Sequence, residues 1–248
     1  MMLLLTSISY LAALSSASFL PHRQHLLSNS PLADQELRIP SVAESAVQAR
    51  RIQHLASTGT LSTVFPGNAH NHSITSPENA ILPLENRPSG LEGVPIGMME
   101  YFADCEPRTG DPTILALTIA TSFKNIAAGS NATLSVQWQP PAWSHYSAAA
   151  LPRFSLVGYL EDISAEDVIE EDVAKCFTQY HPDARYWLPG NRIHESRFTR
   201  LKVEEIYWVG GFGDRAYIGW IPAEVWRNVT IEEVESIRLP GETKESFW

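Results

Sequence analysis

The chain has 248 residues, of which 44% are hydrophobic and 10% aromatic, and it carries a net charge of −10. That length accommodates one domain of ordinary size or two small ones, and the apolar share allows a real core. The acidic balance argues against nucleic acid or an anionic membrane surface as a main partner, because both require a basic face.

An apolar stretch from Leu3 to Leu14 precedes Ser15-Ser16-Ala17. This layout predicts a secretory signal peptide over residues 1–17, although its leading segment lacks Lys and Arg. The stretch is short for a membrane span, and no membrane anchor is expected. Residues 18–40 mix Ser, Pro and Leu without period and predict a loose leader. One domain is expected over 41–235, followed by a C-terminal tail over 236–248. Three sequons, at Asn71, Asn131 and Asn228, become glycan acceptors behind a signal peptide.

Ser41-Val42-Ala43-Glu44 reads as a capping box. The helix it opens places Val42, Ala46, Val47, Ala49 and Ile52 at helical spacing and runs toward Gly59. Strands are predicted over 60–65, 96–103, 113–119, 133–138 and 152–163, with a polar insert over 66–93 and a short helix over 122–128. Ser164 opens a second box and one helix to Tyr180, with Ile169, Val173, Phe177 and Tyr180 along its apolar stripe. Leu201, Val203, Glu205, Tyr207 and Val209 alternate with Lys202, Glu204, Ile206 and Trp208, as in a strand.

Next comes Gly211-Phe212-Gly213-Asp214-Arg215-Ala216, which fits the letters of a dinucleotide-binding loop. That chemistry needs a helix to start at the glycines and meet a pyrophosphate. Here the aromatic and branched run to Ile221 is β-prone and Pro222 stops it, so the glycines are assigned to a hairpin. A short helix over 223–226 and a third capping box at Thr230 close the domain. Strands joined by short connections predict a mainly β (α+β) fold: six or seven mostly antiparallel strands in a closed or split barrel with peripheral helices.

Reactive groups are sparse. His70 and His72 stand in the polar insert without acidic or thiol partners, which favours a solvated loop over a metal site. His194-Glu195 reads as surface loop in preference to a general base. Adjacent Glu204 and Glu205 on a strand are expected to face opposite ways. Cys105 and Cys176 either pair in an oxidising compartment or stay separate buried thiols. Thr118 to Asn125 runs from a strand end into a helix start. Its hydroxyls, Lys124 and free amides could hold a phosphate, but Thr121 or Ser122 as a helix cap accounts for them more simply.

The ordered segments GTLSTVF, PIGMMEYFADC, PTILALTIATSFKNIAAGSNATLSVQW, LPRFSLVGYLEDI, HPDARYWLPGNRIHESRF and LKVEEIYWVGGFGDRAYIGWI resemble the CREG family. The resemblance spans about Ser41 to Glu235. It implies the FMN-binding split β-barrel of the pyridoxamine 5′-phosphate oxidases, in a secreted or endolysosomal glycoprotein that forms homodimers. Flavin-binding members hold the phosphate with basic residues on one strand and a Ser-Arg-Lys run at the next strand end. Ser122 and Lys124 match that run, with Thr121 beside them, while Phe123 replaces the arginine. Ile96 to Tyr101 offers no basic residue, and Glu100 would repel a phosphate if it faced the site. No bound cofactor is therefore expected, and the implied role is non-enzymatic: binding or regulation, with a protein or receptor partner, in the extracellular space or a vacuolar or endolysosomal lumen. The alternatives are an FMN-dependent oxidoreductase anchored through Thr121, Ser122 and Lys124, and a haem or tetrapyrrole binder. The latter is disfavoured by the absence of histidine from the C-terminal tail.

Overall fold

The computed structural model describes residues 38–67, 88–141 and 147–242. The predicted signal peptide, most of the leader, Asn71, His70 and His72 lie outside them. Among the described residues, no helix is long and apolar enough to cross a membrane, and no cluster of His, Cys, Asp or Glu could hold a metal ion.

Helix α1 spans Val42–Leu55 and starts on the expected box: the Glu44 amide donates to Ser41 Oγ at 3.2 Å and the Ser41 amide to Glu44 Oε2 at 2.8 Å. It ends at Leu55, before Gly59, because β1 (Thr58–Val64) already contains that glycine. Ala46, Ala49 and Ile52 are fully buried, as are Arg50 and Arg51 beside them. Arg50 donates to the Pro107 carbonyl at 2.6 Å and the Trp226 carbonyl at 3.3 Å, with its guanidinium 5.3 Å from the Trp226 ring centre. Such acceptors are what permit a cation in a core.

Strands β2 (Pro95–Ala103), β3 (Thr113–Leu117), β4 (Ala132–Gln137), β5 (Arg153–Asp162), β6 (Ser196–Val209) and β7 (Ile218–Ile221) follow. The sheet order is β3-β2-β1-β4-β5-β6-β7, and an additional β3–β6 pairing closes the first six strands into an antiparallel barrel. Strand β7 is an extra strand on β6. Closure is incomplete in one place. Strand β2 meets β3 only at Phe102↔Ile114 and Ala103↔Thr113, so Pro95 to Tyr101 is paired on one edge, with β1.

The glycine-rich stretch connects β6 to β7, and Gly211 has φ +143°, a region that L side chains rarely adopt. No helix starts there, so the dinucleotide reading fails on geometry. Strand β6 departs from simple alternation. Val203 and then Ile206 are buried, and both Glu204 and Glu205 are exposed, because a bulge falls opposite Val157 and Gly158. The two glutamates are therefore not divided between an inner and an outer face. Gly158 makes the bulge possible: a Cβ there would lie 1.9 Å from the Lys202 carbonyl oxygen.

The helix expected from Ser164 to Tyr180 is broken. Helix α3 (Ala165–Glu170) and helix α4 (Val173–Tyr180) meet at Asp172, which has left-handed φ +51°. The break turns Ile169 out to 77% exposure while Val173 and Phe177 stay buried, so the four-residue stripe does not form. Val173 and Phe177 join Ala103, Leu115, Ile163, Ala184 and Phe198 in a second apolar cluster. A disulfide between Cys105 and Cys176, with Cα atoms 5.9 Å apart, ties α4 to the segment after β2. Helix α5 (Ala223–Arg227) and helix α6 (Ile231–Ser236) then pack near α1, with the third capping box formed at Thr230 and Glu233.

Beyond Glu235 the chain does not stand clear of the barrel. Leu239 is in the main core, Trp138 Nε1 donates to the Pro240 carbonyl at 2.8 Å, and Glu242 forms a fully buried ion pair with Arg51.

Candidate functional site: the cleft between β2 and α2

Helix α2 (Thr121–Ala127) follows β3 and packs against β1 and β2. Its N-cap is Ala120, and no side chain caps it, so neither Thr121 nor Ser122 serves as the expected cap. Packing holds it instead. Phe123 is buried in the main core, which stabilises the helix by about 2–3 kcal/mol. Asn125 is buried and donates Nδ2 to Thr63 Oγ1 on β1 at 3.0 Å.

Thr121, Ser122 and Lys124 therefore do come together, within the first turns of one short helix. Ser122 is 2% exposed, whereas Thr121 and Lys124 are partly buried. Strand β2 presents alternate residues to this helix and to the opposite face. Met98 pairs with core residue Leu61, and Glu100 pairs with Gly59, which brings no side chain of its own. Glu100 lies near Ser122. Burial pushes the Glu100 carboxyl up to about 7, against the opposing influence of the nearby Ser122 hydroxyl.

These residues do not fit a flavin phosphate. Ser122 lies beside an acid, Phe123 is committed to the core, and β2 carries no basic side chain. A dianion entering here would meet a carboxyl where charge-assisted donors are needed. The charge on β2 was visible in the sequence; its partner, 22 positions later in the chain, was not.

A second feature lies on the outer face of the sheet, and sequence reading did not find it. Met99, Thr60, Ser135, Ser155, Tyr207 and Trp220 pair in register across β2, β1, β4, β5, β6 and β7. The small hydroxyl residues form a low floor, with Ser135 and Ser155 joined Oγ to Oγ at 2.8 Å. Met99, Tyr207 and Trp220 rise at the ends and are 62%, 38% and 54% exposed. The result is an open groove of about 700 Å³, also lined by Gln137 and Arg153. Its signal in the sequence is one Thr or Ser on each of three strands, at Thr60, Ser135 and Ser155.

The remaining candidates are peripheral. His194 and Glu195 are exposed in a loop built by Asn191, whose Oδ1 accepts from the Ile193 and His194 amides at 2.8 and 2.9 Å. Asn131, before β4, and Asn228, at the end of α5, are exposed.

An antiparallel six-stranded barrel with an incomplete β2–β3 seam and a helix following β3 defines a split β-barrel. The family profile described as "CREG, beta-barrel" matches residues 40–228. The chain belongs to the CREG family.

Among solved structures it is similar to a heme binding protein from Mycobacterium smegmatis (TM-score 0.54, 18% identity), covering 78% of this chain and 62% of that one. It thus spans less than two thirds of that protein. It is also similar to a protein of unknown function from Agrobacterium tumefaciens (TM-score 0.47, 18% identity, 81% and 64% covered). A FAD-binding protein from Mesorhizobium loti is more distant (TM-score 0.41, 10% identity, 65% and 91% covered). No curated protein matches the chain. At these identities the solved structures speak to the fold alone.

Proposed function

We propose that this chain is a non-catalytic member of the split-barrel class in which the flavin site has been retired, and that it acts by binding other molecules as a secreted or vacuolar glycoprotein. The observation that carries this reading is Phe123 in the core where the class uses an arginine, beside an acid, Glu100, on a strand without cations. A protein that kept flavin would gain affinity from every cation it placed there. This chain has put an acid and a core aromatic at those positions. The exposed Asn131 and Asn228 suit glycan attachment, and the signal-like N-terminal stretch supplies the route.

The working unit is a homodimer that buries the outer-face groove. The row from Met99 to Trp220 sets apolar ends around a low polar floor, and a two-fold axis lets the aromatic end of one copy enter the floor of the other.

The test is to express the mature chain through a secretory host and record its absorbance with and without FMN. A colourless protein that acquires no flavin supports the reading. A near-stoichiometric flavin band, or a haem Soret band, refutes it. Light scattering on the same sample reports the mass, and charge introduced as Met99→Glu with Tyr207→Glu should convert dimer to monomer. A wild-type monomer at micromolar concentration refutes the dimer.

A further inference from the structure

Strand β2 has an open side, and two hydrogen bonds fix which residues supply it. The Phe102 amide donates to the Ser57 carbonyl at 3.0 Å, and the Phe65 amide donates to the Val94 carbonyl at 3.0 Å. Between these ends the β1–β2 register runs unbroken from Val64↔Pro95 to Thr58↔Tyr101. Bonded and non-bonded pairs alternate along an antiparallel ladder, so Ile96, Met98 and Glu100 turn their N–H and C=O groups toward β1. Gly97, Met99 and Tyr101 turn theirs away. Strand β3 does not receive them, because it meets β2 only at Phe102 and Ala103. Among the described residues, no backbone hydrogen bond reaches these three.

Proteins guard such an edge with Pro, Lys, a bulge or a covering element. Here Pro95 guards only the first position, and the β1–β2 pairing carries no bulge. Gly97 and Met99 are exposed, Tyr101 is half-buried, and Gly97 has no side chain to obstruct an approach. The strand carries one charged residue, Glu100, which is half-buried and has no ion-pair partner among the described residues.

We propose that β2 is the acceptor for an added strand: an extended peptide segment of a partner protein pairs with Gly97, Met99 and Tyr101 and sets a lysine or arginine opposite Glu100. The inference rests on the reading of this chain as a binding protein and names the kind of partner it takes.

The ladder dictates the pattern of that segment. Added antiparallel, like the other pairings of this barrel, it meets Gly97, Met99 and Tyr101 in hydrogen-bonded pairs. Its residue opposite Glu100 falls in a non-bonded pair, where side chains approach most closely, and projects to the same face as Glu100. A cation there gives the carboxylate its missing partner, whereas an acid is repelled. Opposite Met98, which is 50% exposed, an apolar residue fits. The row of main-chain groups runs in the plane of the sheet and the groove lies on its outer face, so an added strand and a second copy use different groups.

The experiment is amide hydrogen exchange at residue resolution on the full mature protein, with and without the probe peptide acetyl-Thr-Lys-Val-Leu-Thr-amide at millimolar concentration. In the free protein the amides of Ile96, Met98 and Glu100 should exchange slowly and those of Gly97, Met99 and Tyr101 fast. The probe should slow the second set. Methylating the Val nitrogen of the probe removes a donor that faces β2 and should abolish the effect, whereas methylating the Leu nitrogen, which faces away, should leave it intact. Replacing the probe's Lys with Glu should weaken binding by about fivefold, and Glu100→Gln should erase that preference. Free-protein amides that are slow without alternation show an edge already covered and overturn the proposal. So does protection that rises with protein concentration alone, which assigns the edge to a second copy, and so does a probe that leaves exchange unchanged. The two readings fail separately. A flavin-loaded protein overturns the non-catalytic reading, whereas a colourless protein whose edge ignores the probe overturns the strand acceptor alone.

Discussion

Replacing both Cys105 and Cys176 with Ser should reveal how far the second apolar cluster depends on its covalent tie. The bond joins residues separated by 71 positions and fastens α4 to the segment after β2. In the chain-entropy account, closing a loop of that length restricts the unfolded ensemble by about 4 kcal/mol at 25 °C. The native contacts of Val173, Phe177 and Phe198 are untouched by the substitution, so the loss should appear as easier unfolding of an unchanged fold. For a domain of this size the melting temperature should fall by roughly 8–16 °C. Urea denaturation followed by circular dichroism gives the free energy directly. The slope should rise as well, because the uncrosslinked chain exposes more surface when unfolded. A double variant within about 1 kcal/mol of wild type, with an unchanged slope, would refute the entropic reasoning.

Three other perturbations probe independent contacts. Gly158→Ala places a methyl 1.9 Å from the Lys202 carbonyl and should destabilise by about 3 kcal/mol or more, read as a lower urea midpoint. Glu242→Ala removes the carboxylate from buried Arg51 and should cost about 3–5 kcal/mol by the same assay, whereas a residue in a loose tail would cost nothing measurable. His181 is buried between Tyr101 and Phe177 with Nε2 2.9 Å from the Phe102 carbonyl, and burial pushes its imidazole below the ordinary value of 6.5. The stability it contributes is present above about 6.5 and is lost as pH falls through its lowered folded value. Melting temperatures in a Glu100→Gln background should therefore drop between pH 7 and 5, and His181→Gln should flatten that drop.

The elements that could be read in advance are those whose cause is local. Ser41 with Glu44 and Thr230 with Glu233 are three residues apart, and each pair satisfies its own helix start without help from the fold. The hairpin at Gly211 was legible for the same reason, since the β-prone run after it left no room for a helix. The break at Asp172 was not, because helical spacing continues through it and the turn serves the burial of Phe177 against Phe198, a long-range packing choice. The bulge at Glu204 was hidden likewise: the glycine that permits it is on β5, some 46 positions earlier.

The candidate site divides along the same line. Phe123 in place of an arginine and Glu100 on a strand without cations are both visible as letters, and each alone suggests only that a phosphate would bind poorly. The structure adds that the two changes are coupled through one short helix. Burying Phe123 fixes α2 against the barrel, which places Ser122 near Glu100 of β2, where burial holds the carboxyl up at about 7.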